Sequence, residues 1–243
     1  MLVKTKGVIL RSVKYSETSL ILDIFTREAG LKTYIISGVR KKNARTSAGT
    51  VQPMNIVDLV VYDSRRSKIN RIKEVKLAYL YKQIPFDIKK SSVALFMVEI
   101  LGKSIKEKEA NTEFYDFVEN SLIFLDQTAR NIANFHLVFL VKASKFLGFY
   151  PKDNYGAGNL HFDKREGVFV ANIPEHDEYL DENKSKILHQ IINTDLEFCD
   201  GLSLTRHDRN ELLESLIKYY KIHLTDFGKI RTLDVFKSVF AKL

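Results

Sequence analysis

The chain has 243 residues, 45% of them apolar, with 38 Lys and Arg against 30 Asp and Glu, a net charge of +8, and one cysteine. That length and composition bury an ordinary core without covalent staples, and the single Cys199 excludes an intrachain disulfide and a multi-cysteine zinc site. The longest apolar stretch, Ile132 to Phe149, is broken by Asn134, His136, Lys142 and Lys145, so no membrane span is expected, and residues 1–7 lack a signal-peptide pattern, which points to the cytoplasm.

Residues 1–80 read as β, with strands expected at Lys6–Val13, Thr18–Thr26, Leu31–Ser37, Met54–Tyr62 and Lys68–Ala78. In the second, Leu20, Leu22 and Ile24 share one face and Ile21, Asp23 and Phe25 the other, and Glu28-Ala29-Gly30 suits a tight hairpin. Five short strands in so few residues fit a small barrel of the OB-fold kind. Past Pro85 apolar residues recur at spacings of three and four. Helices are expected over Ser91–Lys108, from a Thr112 cap through Leu125, and over Ala129–Phe149, the last apolar nearly all round, hence buried, and ended by Pro151. Residues 150–177 break the pattern, and Asn159–Asp163 with Gly167–Ala171 reads as an inserted hairpin. Helices resume at Glu182–Asn193, Thr205–His223 and Thr232–Lys242, with Thr205 and Asp208 spaced as a capping box. The expected architecture is α+β, β then α: an OB-fold domain over 1–80 and a helical domain with a small inserted β-hairpin over 81–243.

Charge is distributed unevenly. Residues 1–80 hold 16 Lys and Arg against 6 Asp and Glu, whereas the remaining residues hold 22 against 24. A basic excess confined to one module is the footprint of a polyanion ligand. No acid occurs from Ala29 to Val57, a stretch that contains Lys32, Arg40, Lys41, Lys42 and Arg45, and Arg65, Arg66 and Lys68 form a second cluster between the last two strands. Cations on connecting loops can follow a phosphate backbone, while Tyr15, Phe25 and Tyr34 are candidates for stacking on bases. The competing readings are a solvated charge run and ordinary aromatic packing.

Catalytic patterns are missing. There is no P-loop, dinucleotide fingerprint or nucleophile elbow, and the six histidines show no metal-ligand spacing. Asp208, Glu211 and Glu214 recur at helical spacing and read as a solvated face. A non-catalytic protein with no cofactor is expected.

Several motifs of the first third together resemble the opening of the recombination protein O family, RecO. They are Lys6-Gly-Val-Ile-Leu-Arg11, Tyr15-Ser-Glu17, Ser19-Leu-Ile-Leu22, Phe25-Thr-Arg-Glu28 with Gly30, Gly38-Val-Arg-Lys-Lys42, Gln52-Pro53 and Ile72-Lys-Glu74. Tyr219-Tyr-Lys-Ile-His223 and Phe227-Gly228 are similar more loosely. The resemblance implies an OB-fold on a helical domain, binding of single- and double-stranded DNA, annealing of complementary strands, and work in the cytoplasm at the nucleoid. It also implies partnership with RecR and action on strands coated by single-stranded-DNA-binding protein so that RecA can load. The acidic tail of that coating protein needs an apolar pocket beside cations, for which Phe135, Phe139, Lys142 and Lys145 are the candidates, the competing and favoured reading being ordinary core with lysines snorkelling from it. Many relatives carry four zinc-binding cysteines after the central helix. Pro151–Ala171 has none, so the hairpin is expected to be held by Phe162, Val168 and Phe169. The basic loop also departs from the family, with Asn43 and Ala44 at its end. An RNA-binding or ribosome-associated OB protein and a metal-dependent nuclease built on Asp208 are the competing classes.

Overall fold

The computed structural model describes residues 1–39, 41, 46–63, 67–106 and 109–240. They form two compact units, 1–127 and 128–243.

The first unit opens with five strands, β1 (Leu2–Lys14), β2 (Leu20–Thr26), β3 (Gly30–Ile36), β4 (Ile56–Tyr62) and β5 (Asn70–Leu77). They close in the order β1-β2-β3-β5-β4, with β4 returning to β1. All pairs are antiparallel except β3 with β5, where Tyr34 faces Asn70 and Ile35 faces Arg71. This is the OB-fold barrel. β1 is longer than expected because it serves two neighbours: residues 2–8 pair with β4 and residues 7–14 with β2. Where the two pairings overlap, Gly7 is needed: a Cβ there would sit 2.5 Å from Ile24 Cγ2. Alternation puts Ile9, Leu22, Ile24, Val57, Leu59, Val61 and Ile72 inside, where they pack with Tyr34 and Ile36.

Composition changes at residue 80, whereas packing divides the chain after Gln127. The next two helices, α1 (Ile88–Ser104) and α2 (Thr112–Gln127), therefore belong with the barrel. α1 starts three residues before the expected Ser91 because Asp87 caps it, accepting from the backbone N–H groups of Lys89 and Lys90. The expected end of that helix, Lys108, lies outside the described residues. At α2 the side chain that accepts the Phe114 N–H is Asn111, not Thr112. Phe25, on the outer face of β2, packs on Phe114 and Tyr115 of α2, with ring centroids 5.3 and 5.8 Å apart. Arg27 meets Asp116 through two hydrogen bonds of 2.8 and 3.0 Å, and Lys6 reaches Glu119 at 3.0 Å. The segment before α1 is tied by the fully buried Asp126, which accepts from the N–H groups of Lys82, Gln83 and Ile84 and from the Tyr79 hydroxyl. Burial opposes the charge on Asp126, but these donors outweigh it and hold its carboxyl below the usual range.

The second unit is built around α3 (Phe135–Phe146), with α4 (Glu182–Ile192), α5 (Arg206–His223) and α6 (Thr232–Phe240). α3 begins six residues later than expected. Thr128 and Asn131 side chains capture the N–H groups of Arg130 and Ala133, and this local bonding competes with a helical turn. α3 also ends before Pro151: Gly148, at φ +85°, permits the bonds from Phe149 N–H to Ser144 C=O and from Gly148 N–H to Lys145 C=O that close a helix. From Phe135 through Val141 every side chain is buried, as the all-round apolar pattern implied. Thr205 and Asp208 form the expected capping box of α5. The expected end of α6, Lys242, lies outside the described residues.

The inserted hairpin is a three-stranded sheet: β6 (His161–Asp163) lies between β7 (Val168–Val170) and β8 (Tyr179–Leu180). Phe162 and Phe169 face each other across β6 and β7 and are buried, while Val168 is only partly covered. The Phe162 ring also meets Tyr219 of α5 at 5.5 Å. The Asn154 side chain bonds both the N–H and the C=O of Phe169, at 2.9 and 2.8 Å, so it takes the place of a further strand.

Candidate nucleic-acid interface

The expected phosphate contacts fall into three groups. Arg40, Lys42, Arg45, Arg65 and Arg66 lie outside the described residues. Lys41 is exposed, its N–H bonded to the Gly38 carbonyl in a turn where Gly38 adopts φ +80°, and Lys68 is exposed just before β5. Lys32 is partly buried on β3, in the register of Tyr34 and Ile36.

The three stacking candidates separate by depth. Tyr15 lies at the tip between β1 and β2 and is 64% exposed. Phe25 is closed off by α2, and Tyr34 lies inside the barrel, where burial raises its hydroxyl pKa. A base reaches neither ring unless α2 or the barrel opens. Sequence alternation finds aromatic positions but does not say which face is covered.

Four of the eleven described cations of residues 1–80 are engaged within the unit. Arg11 pairs with Asp23 at 2.6 Å, Arg27 with Asp116, Lys6 with Glu119 and Lys76 with Asp58. The Arg27 hydrogen bonds hold the Asp116 carboxyl below its usual range. Among the described residues of 1–80, Lys4, Lys14, Lys32, Lys41, Lys68, Arg71 and Lys73 have no acid at ion-pair distance, and these are the cations left for a ligand. Four of them, Lys4, Lys14, Arg71 and Lys73, lie on β1 and β5 and were not singled out from the sequence. The signal was there in Arg71-Ile72-Lys73, a buried residue between two exposed cations. A groove of about 590 Å³ runs over β1, β4 and β5, lined by Lys4, Lys73 and Lys76 and by the acids Asp58 and Glu74. Thr46, the residue that follows the basic run Arg40–Arg45, also lines it.

In the second unit Phe135 and Phe139 are fully buried in α3. Lys142 donates to the Ile192 carbonyl at 3.0 Å and pairs with Asp195 at 3.1 Å, while Lys145 is exposed. The four do not line a common open pocket here, because α3 is central in its unit. Cys199 is buried, and its thiol is pushed up to about 12, chiefly by desolvation. Asp208 is committed to the α5 cap. Among the described residues, no three His, Cys, Asp or Glu side chains gather as a metal site. No described helix is long and apolar enough to cross a membrane.

Comparison with known proteins agrees with this architecture. The family model "Recombination protein O N terminal" matches residues 1–81, and "Recombination protein O C terminal" matches residues 85–229. The chain is 33% identical over 241 residues to the DNA repair protein RecO of Phocaeicola vulgatus, covering 99% of this chain and 100% of that one. It is 33% identical over 242 residues to the RecO protein of Bacteroides fragilis and 36% identical over 249 residues to that of Flavobacterium psychrophilum, with the same coverage. With both parts matched and relatives aligned end to end, the chain belongs to the recombination protein O family of DNA repair proteins.

Proposed function

We propose that this protein is a non-catalytic recombination mediator. Its barrel grips single- and double-stranded DNA by the phosphates, lowering repulsion between complementary strands so that they anneal. With RecR, it acts on strands coated by single-stranded-DNA-binding protein and helps RecA to load, in the cytoplasm at the nucleoid. The observation that carries this reading is the distribution of charge. Residues 1–127 hold 22 Lys and Arg against 14 Asp and Glu, whereas residues 128–243 hold 16 of each. Within the first unit, cations without an acid partner lie on the barrel strands and beside the acid-free run from Ala29 to Val57. Such a surface binds phosphates without reading sequence, and with steep salt dependence. The small sheet requires no zinc in this reading, because aromatic packing and the Asn154 clamp replace a metal knot.

The test is annealing of two complementary oligonucleotides coated with cognate single-stranded-DNA-binding protein, over a salt series. Wild type is compared with a variant in which Arg40, Lys41, Lys42 and Arg45 are all Ala. Fast annealing by wild type that is lost in the variant supports the mediator reading and assigns the grip to that loop. Annealing retained in the variant moves the grip to other cations of the barrel. No annealing by wild type at low salt, with binding to structured RNA, overturns it in favour of an RNA-binding role.

A further inference from the structure

The outer face of β1, β4 and β5 carries three cross-strand rows. Leu2, Tyr62 and Arg71 form the first, Lys4, Val60 and Glu74 the second, and Lys6, Asp58 and Lys76 the third. The register between β4 and β5 slips between Val60 and Val61: Val60 faces Glu74 while Val61 faces Ile72, so Lys73 is the extra residue of a β-bulge. Such an insertion re-aims a side chain. Here it leaves Arg71, Lys73 and Glu74 all exposed, with Ile72 buried beneath them. Tyr62 is 47% exposed, paired across the strands with Arg71, and with Arg71, Ile72 and Lys73 it lines a hollow of about 530 Å³. Lys73 also lines the groove over β1, β4 and β5, so the two concavities meet at this residue. Three acids lie on or beside this face. Asp58 is engaged by Lys76 at 3.5 Å and Glu74 lines the groove, while Asp63, next to Tyr62, accepts from the buried Asn70 amide at 3.1 Å. Arg71 and Lys73 line the hollow with the Tyr62 ring, and neither has an acid at ion-pair distance among the described residues.

An open aromatic ring beside two cations with no acid partner among the described residues is an arrangement that can hold one unstacked base with its adjoining phosphates. Resting on the reading that the barrel binds nucleic acid, we propose that this bulged corner is a single-strand subsite. A base stacks on Tyr62 while Arg71 and Lys73 hold the adjoining phosphates, and the strand continues past Lys4 toward Thr46. This face is distinct from the strand 2 and 3 face that OB-folds commonly use.

Binding of full-length protein to a labelled oligothymidine and to inorganic polyphosphate, which has charge but no bases, tests the proposal. Tyr62→Ala is expected to weaken oligothymidine binding roughly 5- to 150-fold and leave polyphosphate unchanged, with Tyr62→Phe close to wild type. Arg71→Gln with Lys73→Gln is expected to weaken both probes and to lower the oligothymidine salt slope by about 1.4. Ultraviolet crosslinking to a 5-bromouracil oligonucleotide is expected to yield an adduct on Tyr62. Equal affinity of Tyr62→Ala and wild type for oligothymidine, an equal loss on both probes, or adducts confined to Tyr15 overturns the subsite and leaves the DNA-binding reading standing. Failure of wild type to bind either probe overturns both.

Discussion

In the barrel, each backbone edge is paired with another strand, since β4 returns to β1 and β3 meets β5 in parallel. The sheet of β6, β7 and β8 has eight residues in all and no such closure. Its outer edge at Phe169 is completed by the Asn154 side chain, the N–H of Phe162 is taken by Ser185 Oγ at 2.8 Å, and the turn after β6 is held by the His223 ring on the Lys164 carbonyl. Closure by strands spreads the hydrogen bonding over many residues. Closure by side chains concentrates it in a few, so a single substitution should disturb the small sheet more than the barrel surface.

The largest effect expected from this contrast is that of Phe162→Ala. Phe162 is 1% exposed and touches Phe169 at 5.0 Å as well as Tyr219, and its truncation should cost about 3–5 kcal/mol in urea unfolding. A cost under about 1 kcal/mol would mean that the sheet is dispensable to its unit. Next is Asn154→Ala, which strands the N–H and C=O of Phe169 and should cost about 1–3 kcal/mol. Hydrogen exchange sharpens the comparison. The Phe169 amide should exchange faster in this variant while those of Leu22 and Ile24 do not change, and equal acceleration in the barrel would break it.

A third test uses pH. His136 of α3 is buried against Phe236 and Phe240 of α6, with ring centroids 4.6 and 6.1 Å apart. Desolvation first, and Arg209 second, lower its pKa from 6.5 to about 3. Between those values the unfolded chain binds a proton that the folded chain excludes. The contribution of neutral His136 is thus complete above its unfolded pKa and is lost as pH falls toward about 3. At pH 5 the loss is on the order of 2 kcal/mol, and it should be missing from the pH dependence of His136→Leu. The smallest effect expected is at the barrel surface. Arg27→Gln breaks an ion pair whose side chains are 42% and 43% exposed, and its shift of the urea midpoint should vanish in about 1 M salt, where the screening length is about 3 Å.

Local chemistry was readable from the chain alone wherever a short window contained the whole cause. Five alternating segments and the placing of Leu20, Leu22 and Ile24 on one face identify the barrel and its core, because inside and outside are set by a period of two. The Thr205–Asp208 box needs only four residues, the all-round apolar pattern of α3 already implied its burial, and the motifs of the first third carried the family. Tertiary packing decided the rest. Whether Phe25 is a stacking platform or a packing residue depends on α2, nearly ninety positions away in the chain. The third strand of the small sheet has two residues, too few to show a period. The bulge that frees Lys73 is a mismatch between β4 and β5, a property of the pair that neither strand's own sequence contains. Which cations remain for a ligand likewise follows from which acids the fold brings to the others, and that is set by contacts between distant segments.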